Sequence, residues 1–280
     1  MPLKTSTKPT VDAVSDQLVV EQAPHDQSVV VRYPASWLHI DRSNARRDLD
    51  QILGDNPRAV FAVDGTMFES TAGTDAFLLY DPSKGVNQPT RKPNEGMTIS
   101  VVGGRAQGQY GGHMAQGATV AVQSWPSMVV DGRPVAHDTA ANRERVWRLG
   151  IGADAHGGIV VVMLIGPMSA LGERMAREGI INGGYLDGGS SLAADARGVF
   201  RRTHTAPSGV RIPGWILAVP PDGVRSEVVS HGSTEQAALV RHAMPPWVMP
   251  AAGAVAALLV IAVAYHFATA EDERYSGYRD

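Results

Sequence analysis

Short apolar runs broken by glycine direct this chain toward sheets. Val29-Val-Val-Arg-Tyr33, Ala59-Val-Phe-Ala-Val63, Ala76-Phe-Leu-Leu-Tyr80, Met97 to Val102, Ala118 to Val122 and Gly214-Trp-Ile-Leu-Ala-Val219 are strand-length segments rich in Val, Ile, Leu and aromatic residues. Thirty glycines in 280 residues favour turns and short strands over long helices. Met128-Val-Val130 and Arg133-Pro-Val135 flank Asp131-Gly132, a hairpin turn signal. Val146 to Gly152 and Ile159 to Ile165 flank Ala153-Asp-Ala-His-Gly157 and form a second hairpin. Two helices are predicted. One runs from Asn44 to Leu53, capped by Ser43 or Asn44, with Leu49, Ile52 and Leu53 on one face and Gly54 as its stop. The other opens at Pro167 and stops at Gly179, with Met168, Leu171 and Met175 spaced to pack on a sheet. The expected fold class is therefore α+β: a mixed multi-stranded sheet with a few packed helices, over residues 27–225.

The two ends read differently. Residues 1–26 are polar and irregular, with no apolar h-region, so a disordered arm without a secretory signal is expected. Residues 226–246 read as a linker. No Asp, Glu, Lys or Arg occurs between Arg241 and Glu271. The stretch 247–268 is long enough to cross a hydrocarbon core of about 30 Å, and Trp247 and Tyr265 fall near its ends, where interfacial aromatics belong. A single transmembrane helix is expected there, followed by a short acidic tail, residues 269–280. Arg241 and His242 before the span and acids after it favour a cytoplasmic domain by one or two charges only.

Charge and composition exclude several functions. A net charge of −3 and a pI of about 6.3 do not suit a general nucleic-acid binder. The absence of cysteine excludes disulfides, thiolate chemistry and Cys-ligated zinc. The nine histidines show no metal-binding spacing such as His-Glu-x-x-His, and no Gly-x-Ser-x-Gly elbow occurs. The segment Gly103 to Met114 is glycine-rich but matches neither phosphate-loop fingerprint, so a surface loop is expected, with His113 on it.

Tyr185-Leu-Asp-Gly-Gly-Ser-Ser191 carries the densest chemistry. Asp187 offers charge, a proton acceptor or a metal ligand. Gly188 and Gly189 let the backbone turn and approach a ligand, and Ser190 and Ser191 add hydroxyls and N–H donors suited to a phosphate or a sugar. The same residues equally make an ordinary turn after a strand. Three other segments are candidates to converge with it. Asp64-Gly65 closes a buried strand, as a site carboxylate or as a plain strand-ending turn. Arg148, inside an apolar strand, needs a ligand or an acidic partner, because an unpaired buried charge is costly. Gln123 either binds a polar ligand or braces a loop.

The order of these segments resembles the phosphodiester glycosidase family, whose members remove a sugar such as N-acetylglucosamine from a phosphodiester. The matching pieces are Asp64-Gly-Thr-Met-Phe68, Gln123 to Gly132, Arg148 to Gly152, a helix, Tyr185 to Ser191, and Arg211-Ile-Pro213. They span roughly residues 58–220. Asp64 and Tyr185 stand where the family pattern has asparagine, and Ser190 where it has a third glycine. The resemblance implies a hydrolase acting on a sugar–phosphodiester or glycan. Asp187 would stabilise, attack or activate water at the anomeric carbon, with Asp64 as second carboxylate or sugar ligand. Arg148 and Arg211 would bind the departing phosphate. Gly65, Gln123, Gly188, Gly189, Ser190 and Ser191 would line the substrate. A Ca²⁺ or Mg²⁺ ion bridging Asp64 and Asp187 would relieve their repulsion. Two rival readings stand beside it: a membrane-anchored protein that binds glycans or sugar phosphates without turnover, which Asp64 favours, and a structural domain whose glycine loops are only turns.

Overall fold

The computed structural model describes residues 17–23, 27–65, 68–69, 74–75, 77–135, 137, 139–203, 212–224 and 228–232. They all fall in one unit, Met1–Gly232; a second unit, Ser233–Asp280, lies outside the described residues. The expected membrane helix at 247–268, the tail at 269–280 and Arg211 lie outside them too. Among the described residues no helix is long and apolar enough to cross a membrane.

Period-two alternation builds the layers. In the strand Ile159–Gly166, the side chains of Ile159, Val161 and Met163 enter one core, while Val160, Val162 and Leu164 enter another. A continuous apolar run is thus a strand buried on both faces. This strand belongs to an eight-stranded sheet in the order Arg133–Pro134, Ser127–Val130, Ile180–Tyr185, Val146–Asp154, Ile159–Gly166, Ser28–Tyr33, Leu18–Ala23, Val228–Gly232. All its neighbours pair antiparallel except Leu18–Ala23 with Val228–Gly232, which is parallel. One face of this large sheet packs on two five-stranded sheets. The second sheet runs Arg105–Tyr110, Met97–Val102, Val120–Ser124, Leu79–Asp81, Val86–Gln88; the third runs Phe200–Arg202, Ala194–Ala196, Phe61–Asp64, Ile212–Ala218, Leu38–Arg47. Phe61, Val63, Ile99, Val122 and Ile216 from these two sheets meet Val31, Ile151 and Val161 of the large sheet in the main core.

Helices close both outer faces. Met168, Leu171 and Met175 of the helix Met168–Arg177 pack on Val30, Val160 and Val162 of the large sheet, as their spacing predicts. Gly150 lets that helix approach: a Cβ there would sit 2.4 Å from Met175 Sδ and 3.4 Å from Leu171 Cδ2. On the far side, Leu49 and Ile52 of the helix Leu49–Asp55 pack on Ala62, Trp215 and Leu217 of the third sheet.

Several expectations are corrected. The α+β class stands as a mostly β protein with few helices, but among the described residues an eight-stranded sheet, two five-stranded sheets and the short pair Phe68–Glu69 with Thr74–Asp75 replace the single mixed sheet. The expected helix from Asn44 is instead the end of the strand Leu38–Arg47, paired with Ile212–Ala218. The helix begins after Asp48, whose side chain accepts from the Gln51 N–H while the Gln51 side chain accepts from the Asp48 N–H. Leu18–Ala23, expected within a disordered arm, is a strand: Leu18 and Val20 alternate into the core and the segment pairs with Ser28–Tyr33. Val228–Gly232, expected in a linker, is its other neighbour. Arg105–Tyr110, expected in a surface loop, pairs with Met97–Val102 across a turn in which Gly103 and Gly104 take positive φ. The Asp131-Gly132 hairpin forms as predicted, with positive φ at both turn residues.

Candidate functional site

A single chain crossing between two sheets brings the site together. The strand Ile180–Tyr185 lies between Ser127–Val130 and Val146–Asp154 in the large sheet. Its chain leaves the sheet where Leu186 N–H donates to the Leu149 carbonyl at 2.8 Å. It then makes the 3₁₀ turn Gly189–Ser191 and enters the third sheet as Ala194–Ala196, beside Phe61–Asp64. Asp187 therefore sits at the exit from one sheet and Asp64 at the end of a strand in the next, its N–H held by the Ala193 carbonyl at 2.9 Å. The two carboxylates are far apart in sequence, and both act electrostatically on the Tyr185 hydroxyl.

Asp187 is half-buried. Its Oδ1 accepts the Gly188 N–H at 2.7 Å. The Ser191 hydroxyl lies within reach of both the Gly188 carbonyl, at 2.7 Å, and Asp187. Burial raises the pKa of Asp187 from its ordinary value, and the Ser191 hydroxyl and Gly188 N–H pull it partly back. Gly188 is needed for space: a Cβ there would lie 2.6 Å from Tyr185 Oη and 2.7 Å from the Trp147 carbonyl. Gly189 is needed for conformation, at φ +67°.

Arg148 is buried, and its seen partners are the Gly166 carbonyl at 3.4 Å from Nε, the Glu144 carbonyl at 3.3 Å from Nη2, and the Tyr185 hydroxyl. Its guanidinium carbon lies 5.8 Å from the Tyr185 ring centroid. Sequence reasoning singled out Tyr185 only as a departure from a pattern. The structure puts its hydroxyl in the electrostatic reach of Arg148, Asp187 and Asp64 together. Burial raises the phenol's pKa, Arg148 opposes that, and the two carboxylates add to it. No spacing rule finds such a residue, because all three of these neighbours come from other strands or from beyond the strand end.

The remaining candidates divide. Asp64 is fully buried and faces Trp215 across the sheet. Gly65 is required by close packing, since a Cβ would lie 2.7 Å from Ile216 Cγ1. Gln123 braces loops: its amide nitrogen donates to the carbonyls of Lys92 at 2.8 Å and Glu95 at 2.6 Å, and its oxygen accepts the Leu78 N–H at 3.1 Å. Ser190 falls in the 3₁₀ turn. Among the described residues no group of three or more His, Asp or Glu is placed to hold a metal ion. A second polar cluster, His39, Asp81 and Ser83, is not a nucleophile arrangement. Asp81 Oδ2 and the Ser83 hydroxyl both lie on His39 Nδ1, at 3.0 and 3.5 Å, whereas a triad puts them on opposite ring nitrogens.

The backbone under Tyr185 leaves no room for growth. Trp125 N–H donates to the Tyr185 carbonyl at 2.8 Å and Tyr185 N–H to the Pro126 carbonyl at 2.9 Å. A Cβ on Gly184 would lie 2.2 Å from Ser124 Oγ and 3.0 Å from the Pro126 carbonyl. Gly184→Ala is expected to displace the Ser124 hydroxyl from the Met97 carbonyl and to destabilise the fold by about 1–3 kcal/mol. Denaturant unfolding checks this; an unchanged midpoint would mean the strand has slack that the packing does not show.

Comparison with known proteins follows the same stretch of chain. A phosphodiester glycosidase family profile matches residues 57–214. No curated protein sequence gives a match to the chain. Among solved structures, the catalytic domain of zebrafish N-acetylglucosamine-1-phosphodiester alpha-N-acetylglucosaminidase, auto-inhibited by its pro-peptide, superposes with a TM-score of 0.54 at 13% identity, covering 78% of this chain and 87% of that one. A hypothetical protein from Synechocystis gives a TM-score of 0.47 at 13% identity over 71% of this chain and 61% of its own. The profile match takes in more than half the chain, including the strand ending in Asp64, the strand carrying Arg148 and the whole Tyr185–Ser191 crossing, and the chain belongs to the phosphodiester glycosidase family.

Proposed function

We propose that this protein hydrolyses the glycosidic bond between a sugar and a phosphodiester, on a glycan or a cell-envelope polymer. The observation that carries the proposal is the grouping of Asp187, Asp64, Arg148 and Tyr185 at the crossing between two sheets, inside a phosphodiester glycosidase domain. Breaking the anomeric C–O bond builds positive charge on the sugar, while the electron pair leaves with a phosphate oxygen. Phosphate leaves readily, so the demand falls on a carboxylate to stabilise the cation, to attack it, or to take a proton from water. Asp187 holds that role here. Asp64 serves as second carboxylate or sugar-hydroxyl ligand. Arg148 and Arg211 supply positive charge for the phosphate, and Gly188, Gly189, Ser190 and Ser191 its backbone cradle. Asp64 and Asp187 would be the residues to hold a Ca²⁺ or Mg²⁺ ion, which would supply positive charge to offset the repulsion between carboxylates and an anionic substrate.

The raised pKa of Asp187 has a consequence for pH. If ionised Asp187 is required, the acid limb of kcat/KM lies at higher pH than an ordinary aspartate would give. Ser191→Ala removes a hydroxyl that supports the ionised form and is expected to move that limb to still higher pH. A limb that stays put or moves down in a pH–rate profile of the variant would detach Ser191 from the reacting carboxylate.

The segment 247–268 anchors the protein in a membrane in this proposal, on the strength of its length and lack of charge. A second function, binding without turnover, is favoured by the carboxylate at position 64, which repels an anionic substrate. The deciding assay incubates the full-length protein with UDP-N-acetylglucosamine and a panel of sugar-1-phosphodiesters, with Ca²⁺, with Mg²⁺ and with EDTA. Sugar release that disappears in Asp187→Asn supports hydrolysis, and its response to EDTA decides the cation. Saturable binding without release supports the second function.

A further inference from the structure

The strand Ile180–Tyr185 ends in a phenol to which the reaction above assigns no task. Tyr185 shares its buried surroundings with Met128, Leu171 and Met175 below the helix Met168–Arg177. Its hydroxyl meets Arg148 and lies where a side chain of residue 188 would otherwise be, 2.6 Å from that position. Arginine has only N–H donors, so in the Arg148 contact the phenol oxygen is the acceptor and its own proton remains to be donated. A guanidinium donating to a hydroxyl polarises it and makes it a stronger donor. Burial keeps the phenol protonated, with Asp187 and Asp64 reinforcing that state and Arg148 opposing it.

We propose that Tyr185 touches the substrate: its hydroxyl, polarised by Arg148, donates a hydrogen bond to an anionic phosphate oxygen lodged against the Gly188–Gly189 turn. This rests on the sugar–phosphodiester reading above and names the group that recognises the phosphate. Arg148 is held deep by the Gly166 and Glu144 carbonyls. The phenol carries its positive influence forward without moving the guanidinium. That answers the difficulty of two carboxylates beside an anion: a donor facing the phosphate offsets their repulsion at the point of contact. The donor is specific, since an alkyl or ether group in place of the anionic oxygen leaves it unpaired.

The test uses the full-length protein and Tyr185→Phe, which keeps the ring and removes only the hydroxyl. The probe is inorganic phosphate, titrated by calorimetry. Tyr185→Phe is expected to bind phosphate on the order of tenfold more weakly or worse, as for a lost hydrogen bond to a charged group. Its kcat/KM falls by a similar factor on a sugar-1-phosphodiester, and stays within about twofold on an aryl glycoside that lacks phosphate. Equal phosphate affinity in wild type and Tyr185→Phe, no phosphate binding by the wild type, or equal losses on both substrates would overturn the proposal. Hydroxyl-dependent phosphate binding with no sugar release overturns the hydrolase reading and leaves this one standing. Sugar release with hydroxyl-independent phosphate binding does the reverse.

Discussion

Asp187→Asn is expected to lower turnover on the order of 10²–10⁴-fold while making the protein more resistant to heat at neutral pH. Both effects come from the same burial. The carboxylate is held at the sheet crossing with a raised pKa, so its ionised form is disfavoured in the folded state relative to the unfolded chain. The sign follows from linkage: an acid that binds its proton more tightly when folded lowers stability as pH rises from its unfolded pKa through its folded one. Above that window the cost is fully present. Asparagine has the same shape, keeps an oxygen for the Gly188 N–H and carries no charge to desolvate. The thermal midpoint of the variant should therefore exceed that of the wild type at pH 7, and the two should converge in acid as Asp187 protonates. A variant that unfolds earlier at pH 7 would show that the Gly188 and Ser191 contacts outweigh desolvation. Full activity in a folded Asp187→Asn protein would remove the residue from the chemistry. Sites that keep a costly carboxylate for function commonly show this trade between stability and activity.

Trp215→Ala is expected to cost about 3–5 kcal/mol and to lower the thermal midpoint by roughly 6–20 °C. Trp215 is fully buried between the third sheet and the helix Leu49–Asp55, among Leu49, Ile52, Ala62 and Leu217. It also stands directly opposite Asp64 in the antiparallel register. Losing the indole empties the space between helix and sheet and loosens the strand pair that fixes the second carboxylate. Trp215→Phe is the informative control. The indole N–H has no hydrogen-bond partner among the described residues, so phenylalanine gives up area but also removes a buried donor that water would otherwise satisfy. Its cost should fall well below that of alanine, by denaturant unfolding. A similar cost for both variants would mean that ring volume, not helix–sheet contact in general, decides the packing at this site.

How much of this was legible beforehand differs from element to element. The hairpin at Asp131-Gly132 and the pair Val146–Asp154 with Ile159–Gly166 follow from turn chemistry acting on adjacent residues, and they form as expected. The helix Met168–Arg177 follows from apolar spacing that one sheet face can satisfy. The segment after Ser43 did not follow. Ser43 and Asn44 are good caps locally, yet Leu38–Arg47 continues as a strand because Ile212–Ala218 offers it a ladder, and Asp48 with Gln51 offers a reciprocal cap a few residues later. Leu18–Ala23 has two apolar positions on one face, too weak a signal alone; its partner strands lie at Ser28–Tyr33 and, far along the chain, at Val228–Gly232.

The site divides in the same way. Asp187 and its glycine–serine turn are visible in the sequence because a tight turn, a charge and backbone donors must be contiguous to work as a unit. Family membership is visible too, because it rests on the order of short segments. What only the tertiary structure decided is which distant groups meet that turn. Gln123 spends its amide on the Lys92, Glu95 and Leu78 backbone, a bond pattern set by how the second sheet closes. Tyr185 meets Arg148 because antiparallel pairing places Gly150 opposite it and Arg148 two residues along the same strand. Local propensity and turn chemistry act over a few residues and are written in composition and spacing. Burial, Coulombic reach and hydrogen bonds between strands depend on register and layer, which arise only when the whole chain packs.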